Sequence, residues 1–398
     1  MKKHLVIICG VMYPLPSATG ICAKRFAEML ADNYDIDIIC IASDMNTAAT
    51  VLDSGICVYA LSGGTMKLEA HSRGAIKRLS HICGQMQIKT KFLGNLNWFA
   101  DAALNKLEEI DRKYKIDAVF SVCSPLSAHF AALRYKEKNR SIRWVAYTVD
   151  LYSVPERIRP FCCSLSGMLK KELAVLQGAD AVLLSEEIYA NHSDLVAKLN
   201  AVEKLPYVLP EQKKADGESV LPEGEGISCV FAGSFYRDMR NPETMLDIFS
   251  RIKDKRIKLH LYSTGCEDLV EKYASECSSI AVHGRVSYEQ IQRVYRDANV
   301  LLNIGNTNSD FIPSKTFEYI ATGKPIVNFY YGKEPDSVLK RYPLAFHISN
   351  EAEKFDIQGI EEFLINNGNK AVLRDDIERM YPENTASFIE QLLTSIIG

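Results

Sequence analysis

Short apolar runs alternate with helix-like segments along most of the sequence, and this alternation restricts the fold more than any other feature. In the first half the apolar runs cover residues 4–9, 36–41, 118–122, 144–147 and 181–184, and helical periodicity covers residues 22–32 and 99–114. Buried parallel strands joined by crossover helices produce this pattern. The sequence therefore predicts an α/β protein built on a doubly wound parallel sheet.

The alternation is interrupted by the stretch PYVLPEQKKADGESVLPEGEG at residues 206–226, which is rich in proline, glycine and charge. Such a composition is typical of a linker. Strand patterns then return at residues 228–232, 258–262, 280–282, 300–303 and 326–329, and helical patterns at residues 242–252, 267–276, 288–297 and 314–322. We therefore predict two Rossmann-like doubly wound domains that face a cleft, with a ligand bound outside the carboxyl ends of the strands.

The predicted domain bounds follow from this linker and from the last helical pattern. The first domain covers residues 1–205, the linker 206–226 and the second domain 227–382. The final segment, residues 383–398, contains an amphipathic helix at residues 385–397. Packing of this helix against the first domain is one arrangement open to it.

Composition excludes several classes of protein. The 398 residues are 47% hydrophobic and 24% charged with a net charge of −3, which is typical of a globular chain and not of a nucleic-acid-binding one. The 11 cysteines are scattered and form no CxxC pair, so neither a disulfide framework nor a zinc site is predicted. A reducing interior fits this use of cysteine best.

The first residues, MKKHLVIICG, combine lysines with an apolar run as a signal peptide does. Pro14 and Pro16 follow closely, however, and a first buried strand is the better interpretation. No stretch approaches the roughly 18 to 20 apolar residues that span a bilayer. A cytoplasmic protein is therefore predicted.

Residues 65–98 form a basic amphipathic segment with six lysines and arginines against one acid. Such a segment can lie on an anionic bilayer, which would place the protein at the inner face of the membrane as a peripheral protein. It can equally pack its apolar stripe inward and leave its charges in water. Both interpretations stay open.

A metal site is not predicted. Asp35 and Asp37 form a DxD sequence, but they alternate with apolar residues in YDIDIICI, which is the pattern of a strand. The histidines show no spacing suited to a shared metal ion.

Polar or glycine-containing segments follow three of the predicted strands. Gly20 follows the first strand, where glycine allows a substrate to approach the backbone, although a tight turn without a ligand explains it equally well. In FAGSFYRDMRNPETM, Gly233 ends a strand and Arg237 and Arg240 follow in a loop. Guanidinium groups there can neutralise a diphosphate. Arg285, in the Gly-Arg turn of VHGRVS, is a further candidate.

The segment SDFIPSKTFEYIATGKPIV, residues 309–327, places two carboxylates, Asp310 and Glu318, on either side of a predicted helix start. Proline and Ser314 suit the first turn of a helix, and a glycine followed by proline suits its end. Glu318 then shares a helix face with Ser314. Because a helix N-terminus attracts anions, this segment is a candidate anion site, with Lys315 beside it.

Taken in order, FAGS, LHLYSTG, VHGRVS, ANVLLNI and PSKTFEYIATGKP resemble the donor domain of retaining GT-B-fold glycosyltransferases of family four, the glycosyltransferase group 1 type. The resemblance covers residues 228–330. The first half is similar more loosely, through Gly20, through RWVAYTVDLY around Asp150 and through ELAVLQGADAVLLSEE.

The resemblance implies specific roles. Glu318 would bind the ribose of a nucleotide-sugar, Asp310 would face the transferred sugar, and Arg240 would take the place of the family's diphosphate-binding lysine. The sequence departs from the family at Ser234, where the family has arginine, and at Asp310, where it has glutamate. Arg237 or Lys315 would then complete the phosphate site.

The implied activity is transfer of a sugar, with retention and without a metal, from a nucleoside-diphosphate sugar to a glycan or lipid-linked acceptor in bacterial surface polysaccharide synthesis. A non-catalytic GT-B-like protein that binds a glycan or a partner enzyme is the alternative. A dinucleotide-dependent oxidoreductase is disfavoured, because the chain has no GxGxxG followed by a ribose-binding acid.

Overall fold

The computed structural model describes residues 2–14, 16–44, 46–62, 97–153, 165–211, 218–221, 226–307, 312 and 315–398. By its internal contacts the chain divides into two compact units: Met1–Pro206 together with Ser387–Gly398, and Tyr207–Ala386. The basic segment at residues 65–98 lies outside the described residues except for its last two.

In the described part of the first unit, eight strands form one sheet in the order β3-β4-β2-β1-β5-β6-β7-β8. The strands are β1 (Lys3–Tyr13), β2 (Tyr34–Ala42), β3 (Ala48–Val51), β4 (Cys57–Leu61), β5 (Ala118–Cys123), β6 (Arg143–Thr148), β7 (Ala181–Leu184) and β8 (Val202–Lys204). All neighbours are parallel except β3 and β4, which are antiparallel. The chain order reverses between β1 and β5, which makes that pair the topological switch point of the sheet.

The helices among the described residues of the first unit are α1 (Ala18–Leu30), α2 (Asn97–Lys113), α3 (Leu126–Lys138), α4 (Leu165–Leu176), α5 (Glu186–Asn191), α6 (Ser193–Val196) and, at the chain end, α14 (Ala386–Ile397). Residues 5–9 of β1 are fully buried, as expected for a central strand covered on both faces. The C-terminal helix belongs to this unit, where Arg143 donates hydrogen bonds to the carbonyl oxygen of Ile396 at 2.9 and 3.1 Å.

The second unit repeats the architecture with six strands among its described residues, in the order β11-β10-β9-β12-β13-β14, all parallel. The strands are β9 (Ile227–Ser234), β10 (Ile257–Thr264), β11 (Ile280–Val282), β12 (Val300–Ile304), β13 (Ile326–Tyr330) and β14 (Ala345–Ser349). The helices are α7 (Glu243–Arg251), α8 (Glu267–Glu276), α9 (Tyr288–Asp297), α10 (Lys315–Ala321), α11 (Ser337–Lys340), α12 (Ile357–Asn367) and α13 (Arg374–Met380), followed by a 3₁₀ turn, Pro382–Asn384.

Two apolar layers sandwich the second sheet. One contains Phe231, Phe249 and Phe329, and the other contains Phe317 and Tyr319 of α10. The chain order reverses between β9 and β12, so the loops that follow these two strands meet at the switch point. The four central strands are β4-β2-β1-β5 in the first sheet and β11-β10-β9-β12 in the second. Numbered by their order along the chain, both sets are arranged 3-2-1-4.

The predicted helix start at residue 22 is wrong. Helix α1 begins at Ala18, because the Ser17 hydroxyl accepts a hydrogen bond from the Gly20 amide at 3.2 Å and caps it. Gly20 therefore lies in the first turn of the helix and not in a loop. A Cβ atom at this position would stand 2.2 Å from the Val11 carbonyl oxygen, so close packing of α1 on β1 requires glycine here.

Candidate active site

The candidate site lies in the second unit, where three segments meet at the carboxyl ends of β9 and β12. They are the loop after β9, residues 305–307 after β12, and helix α10. Carboxyl ends of parallel strands lie at one edge of a sheet, and ligands of open α/β sheets bind there. The geometry of each segment decides which of the predicted residues come together.

Helix α10 is fixed to the end of β9 through one backbone carbonyl. The Lys315 ammonium donates to the Ala232 oxygen at 2.9 Å, and the Tyr319 hydroxyl donates to the same oxygen at 3.2 Å. Tyr319 is fully buried and packs edge-on against the ring of Tyr295. An ammonium group has three donors, and one of those of Lys315 is used in this bond.

Lys315 lies within electrostatic reach of two other predicted site residues. Burial lowers the pKa of its ammonium group, the nearby Glu318 carboxylate counteracts this shift, and the Arg240 guanidinium adds to it. Two cations and one carboxylate are therefore grouped beside the end of β9. Such a group suits an anionic ligand that also carries hydroxyl groups.

Arg240 is held by contacts on both sides of the switch point. The loop after β9 folds back on itself, since the Arg240 amide donates to the Tyr236 carbonyl at 2.8 Å and the reverse bond measures 3.1 Å. The Arg240 guanidinium donates to the Asn306 side-chain oxygen at 2.9 Å, and the Thr307 amide donates to the Met239 carbonyl at 3.0 Å. The loops after β9 and β12 are thereby joined.

Gly233 leaves the space that this arrangement needs. A Cβ atom at this position would stand 3.3 Å from the ring of Phe231 and 3.9 Å from Nη1 of Arg240. A larger side chain would displace one of the two. Gly233 thus permits the position of Arg240.

The other predicted site residues have different settings. Arg237 is exposed and forms an ion pair with Asp268 in the first turn of α8, which raises the pKa of the guanidinium. Arg285 is exposed in the turn after β11, and Gly20 belongs to the first unit. Asp310 and Ser314 lie outside the described residues. The roles predicted for these residues stay predictions.

Sequence analysis missed three contributors to the site: Asn306, Tyr319 and the carbonyl of Ala232. Asn306 lies two residues after Ile304, the last residue of β12, so its position near a strand end was a usable signal. No local sequence signal marked Tyr319 or Ala232, because their hydrogen bond joins residues 87 positions apart.

The first unit has a different group at its own carboxyl edge. The carboxylate of Glu172, fully buried in α4, accepts hydrogen bonds from the backbone amides of Tyr152 at 2.8 Å and Ser153 at 3.0 Å. These amides follow Asp150 in the loop after β6. Burial raises the pKa of both carboxyl groups, and for Glu172 the hydrogen bonds from residues 152 and 153 oppose that shift.

Among the residues that the structure describes, no group of three or more His, Cys, Asp or Glu side chains is arranged to hold a metal ion. No helix there is both long enough and apolar enough to cross a membrane. Asp37 of the DxD sequence lies in β2 and pairs with His4, with Nε2 and Oδ2 3.0 Å apart.

Comparison with known proteins identifies the fold. Solved structures of the same fold include sucrose-phosphate synthase from Thermosynechococcus elongatus, with a TM-score of 0.68, 14% identity and coverage of 99% of this chain and 98% of that one. A UDP-forming trehalose-phosphate synthase from Burkholderia xenovorans has a TM-score of 0.62 and 13% identity, with coverage of 100% of this chain and 99% of that one. Anabaena HepE, solved in complex with UDP and glucose, has a TM-score of 0.59 and 11% identity, with coverage of 98% of this chain and 99% of that one. No curated protein sequence matches the chain.

The chain thus has the GT-B fold, with two parallel-sheet units. Residues 226–381 match the family model described as glycosyl transferases group 1. This match includes all the described residues of the candidate site. The matched segment contains the motifs at residues 228–330 that predicted a resemblance to this family.

Proposed function

We propose that the enzyme transfers a sugar, with retention of anomeric configuration, from a nucleoside-diphosphate sugar to a hydroxyl group of a glycan or lipid-linked acceptor. The observation that carries the proposal is the grouping of Lys315, Arg240 and Glu318 at the switch point of the second sheet. Cations there suit a diphosphate, and the carboxylate suits ribose hydroxyls. The group lies within the segment that matches the glycosyltransferase family.

In the proposed reaction the bond between the anomeric carbon and the diphosphate oxygen breaks, and a bond forms from the acceptor oxygen to that carbon. The acceptor proton leaves with the departing diphosphate or passes to solvent. Arg240 and Lys315 stabilise the negative charge that builds on the diphosphate, and no metal is needed for that role in this proposal. Asp310 keeps the role that the family resemblance implies, beside the transferred sugar.

UDP-sugars are the donors to test first. HepE is described in complex with UDP and with UDP-glucose, and the trehalose-phosphate synthase of the same fold is described as UDP-forming. A role in surface polysaccharide synthesis is part of the proposal. WaaB, described as a lipopolysaccharide outer core galactosyltransferase, shares the fold with a TM-score of 0.52. A cytoplasmic location at the inner face of the membrane fits such a role.

The test measures nucleoside diphosphate release from a panel of UDP-, GDP- and ADP-sugars by the purified full chain, with and without candidate acceptors. Glu318→Ala is expected to abolish donor binding, whereas Glu276→Ala, which removes an exposed glutamate of α8, is expected to preserve it. Product NMR then compares the anomeric configuration with that of the donor. Binding of a glycan without any turnover would favour the non-catalytic alternative, and inversion would contradict retention.

A further inference from the structure

Three hydrogen bonds join the loop after β12 to the loop after β9, and Thr307 donates two of them. Its backbone amide donates to the Met239 carbonyl at 3.0 Å, and its hydroxyl donates to the Asp238 carbonyl at 3.1 Å. The third bond runs from Nη2 of Arg240 to Oδ1 of Asn306 at 2.9 Å. Two adjacent residues of one loop thus hold three consecutive residues of the other.

The loop after β9 is also held from the side of β13. The Asn241 amide donates to the Tyr331 hydroxyl at 3.3 Å, and Tyr331 directly follows β13, the neighbour of β12 in the sheet. Within the loop, Tyr236 and Arg240 form an isolated β-bridge. The backbone that carries Arg240 is therefore fixed by its surroundings. What remains to be fixed is the direction of the guanidinium group.

The acceptor that orients the Arg240 guanidinium is the amide oxygen of Asn306, which carries no charge. A carboxylate matches the fork of a guanidinium better, and Arg237 in the same loop pairs with one, Asp268. Such a pair offsets the positive charge of the arginine. An amide oxygen fixes the direction of a guanidinium and adds no negative charge to the site.

The charge of Arg240 matters because a second cation lies near it. Burial lowers the pKa of the Lys315 ammonium group, and the Arg240 guanidinium lowers it further, so each cation lies within the field of the other. Free side chains would move apart to reduce this repulsion. The bonds from Arg240 to Asn306 and from Lys315 to Ala232 oppose that movement. An anion that binds here therefore gains from both charges together.

We propose that Asn306 is a positioning residue for the proposed reaction, whose amide oxygen aims the Arg240 guanidinium at the donor diphosphate without adding a negative charge. This inference rests on the proposed function, because it presupposes a diphosphate ligand. The role needs two properties in one side chain, an accepting oxygen and electrical neutrality. Thr307 supports it by holding the loop backbone at Asp238 and Met239.

The test separates these two properties with two substitutions. Asn306→Ala removes the acceptor and adds no charge, whereas Asn306→Asp keeps an acceptor oxygen and adds a negative charge. The full chain is titrated calorimetrically with inorganic pyrophosphate and with UDP. Asn306→Ala is expected to weaken both roughly 10- to 100-fold, the range found for residues that orient metal ligands, a comparable supporting role. Asn306→Asp should weaken both roughly 10²-fold or more, because its charge would lie close to the phosphates.

Stability provides a readout that a purely structural role would not produce. Asn306→Asp turns the bond to Arg240 into a charge-assisted one, so the free energy of unfolding in urea should equal or exceed that of wild type while ligand binding falls. A residue that only supported the fold would change both in the same direction. Asn366→Asp, at an exposed position of α12, is the matched control for the added charge and is expected to bind both ligands as wild type does.

A double-mutant cycle shows whether Asn306 acts through Arg240. In the Arg240→Ala background, Asn306→Ala should change pyrophosphate binding by less than about twofold, because no guanidinium is left to orient. Wild-type affinity in Asn306→Asp, or the full loss from Asn306→Ala persisting in the Arg240→Ala background, would overturn the inference alone. If wild type bound none of UDP, GDP, ADP and CDP, the proposed function would fail and this inference with it.

Discussion

The two units share one scaffold and carry opposite chemistry at corresponding edges. Both sheets reverse their chain order next to the first strand of the unit, at β1–β5 and at β9–β12. At the carboxyl edge of the second unit, cations dominate through Arg240 and Lys315. At that of the first unit, two carboxyl groups, Asp150 and Glu172, lie in surroundings buried enough to raise their pKa. The fold supplies positions, and the residues after each strand supply the chemistry.

The difference extends to how each site is held. In the second unit a backbone oxygen accepts from two side chains, Lys315 and Tyr319. In the first unit the direction is reversed, since a side chain, Glu172, accepts from two backbone amides. Loss of a cation should therefore harm ligand binding most, whereas loss of the buried carboxylate should harm the loop itself.

The largest expected effect is on catalysis by the second unit. Arg240→Ala is expected to reduce turnover of the donor by roughly 10²- to 10³-fold, because a preorganised charge beside the diphosphate is lost. Arg240→Lys should recover part of the loss. Steady-state release of nucleoside diphosphate measures both. Arg251→Ala, an exposed arginine of α7 paired with Asp247, is the control, and an equal loss there would contradict the assignment.

The next effect concerns the stability of the first unit. Glu172→Ala leaves the amides of residues 152 and 153 without their acceptor, and the free energy of unfolding should fall by about 2–3 kcal/mol. Glu172→Gln should cost less, because the amide oxygen still accepts one bond. Urea denaturation checks the series, with Glu28→Ala on the exposed side of α1 as a near-neutral control. An unchanged free energy of unfolding in Glu172→Ala would contradict the claim that this carboxylate holds the loop of the first unit.

A pH series tests the burial of His129 in the first unit. This histidine is fully buried between Ser121 and Thr148, and burial lowers its pKa to about 3. Because the folded pKa lies below the unfolded value of about 6.5, its contribution to stability is present above pH 6.5 and is lost as the pH falls. Between pH 7 and pH 5 the loss should be about 2 kcal/mol.

The matching variant is His129→Gln, which can still hydrogen-bond but does not titrate. The difference in unfolding free energy between wild type and this variant should shrink by that amount over the same pH range. A constant difference would show that the histidine is already protonated or solvated. Comparing the variants, and not wild type alone, removes the pH dependence of Asp150 and Glu172.

The smallest effect is expected at Arg237. Its guanidinium is exposed and paired with Asp268, so solvent screens its charge. Arg237→Gln should weaken UDP binding by less than about fivefold, which calorimetric titration can separate from the loss in Arg240→Ala. A larger loss would mean that Arg237 leaves Asp268 and joins the phosphate site.

The sequence predicted the central strands and several helices well, for a physical reason. Strands buried on both faces need continuous apolar runs, and the bounds of β7, β11, α8 and α9 agree with the predictions. The β3–β4 hairpin was missed, because β3 is short, half exposed and lacks a long apolar run. The start of α1 was misplaced because Gly20 was interpreted as a loop residue.

The candidate site was predictable only in part. Strand ends and helix starts can be located from local patterns, and these led to Gly233, Arg240, Lys315 and Glu318. Contacts between distant segments, such as Arg240 with Asn306 or Lys315 with Ala232, depend on the packing of the whole unit and have no local signal. Position alone also did not reveal that Arg237 pairs with Asp268.

The double use of the Ala232 oxygen has a mechanical consequence. Helix α10 cannot slide or rotate relative to β9 without losing hydrogen bonds from Lys315 and Tyr319 together. The proposed phosphate site at Lys315 and Arg240 is thus held in place by the fold itself, and little interaction energy has to be diverted into shaping it. Engineering a new donor preference should accordingly preserve the hydrogen bonds of Lys315 and Tyr319 to the Ala232 oxygen and alter the side chains around them.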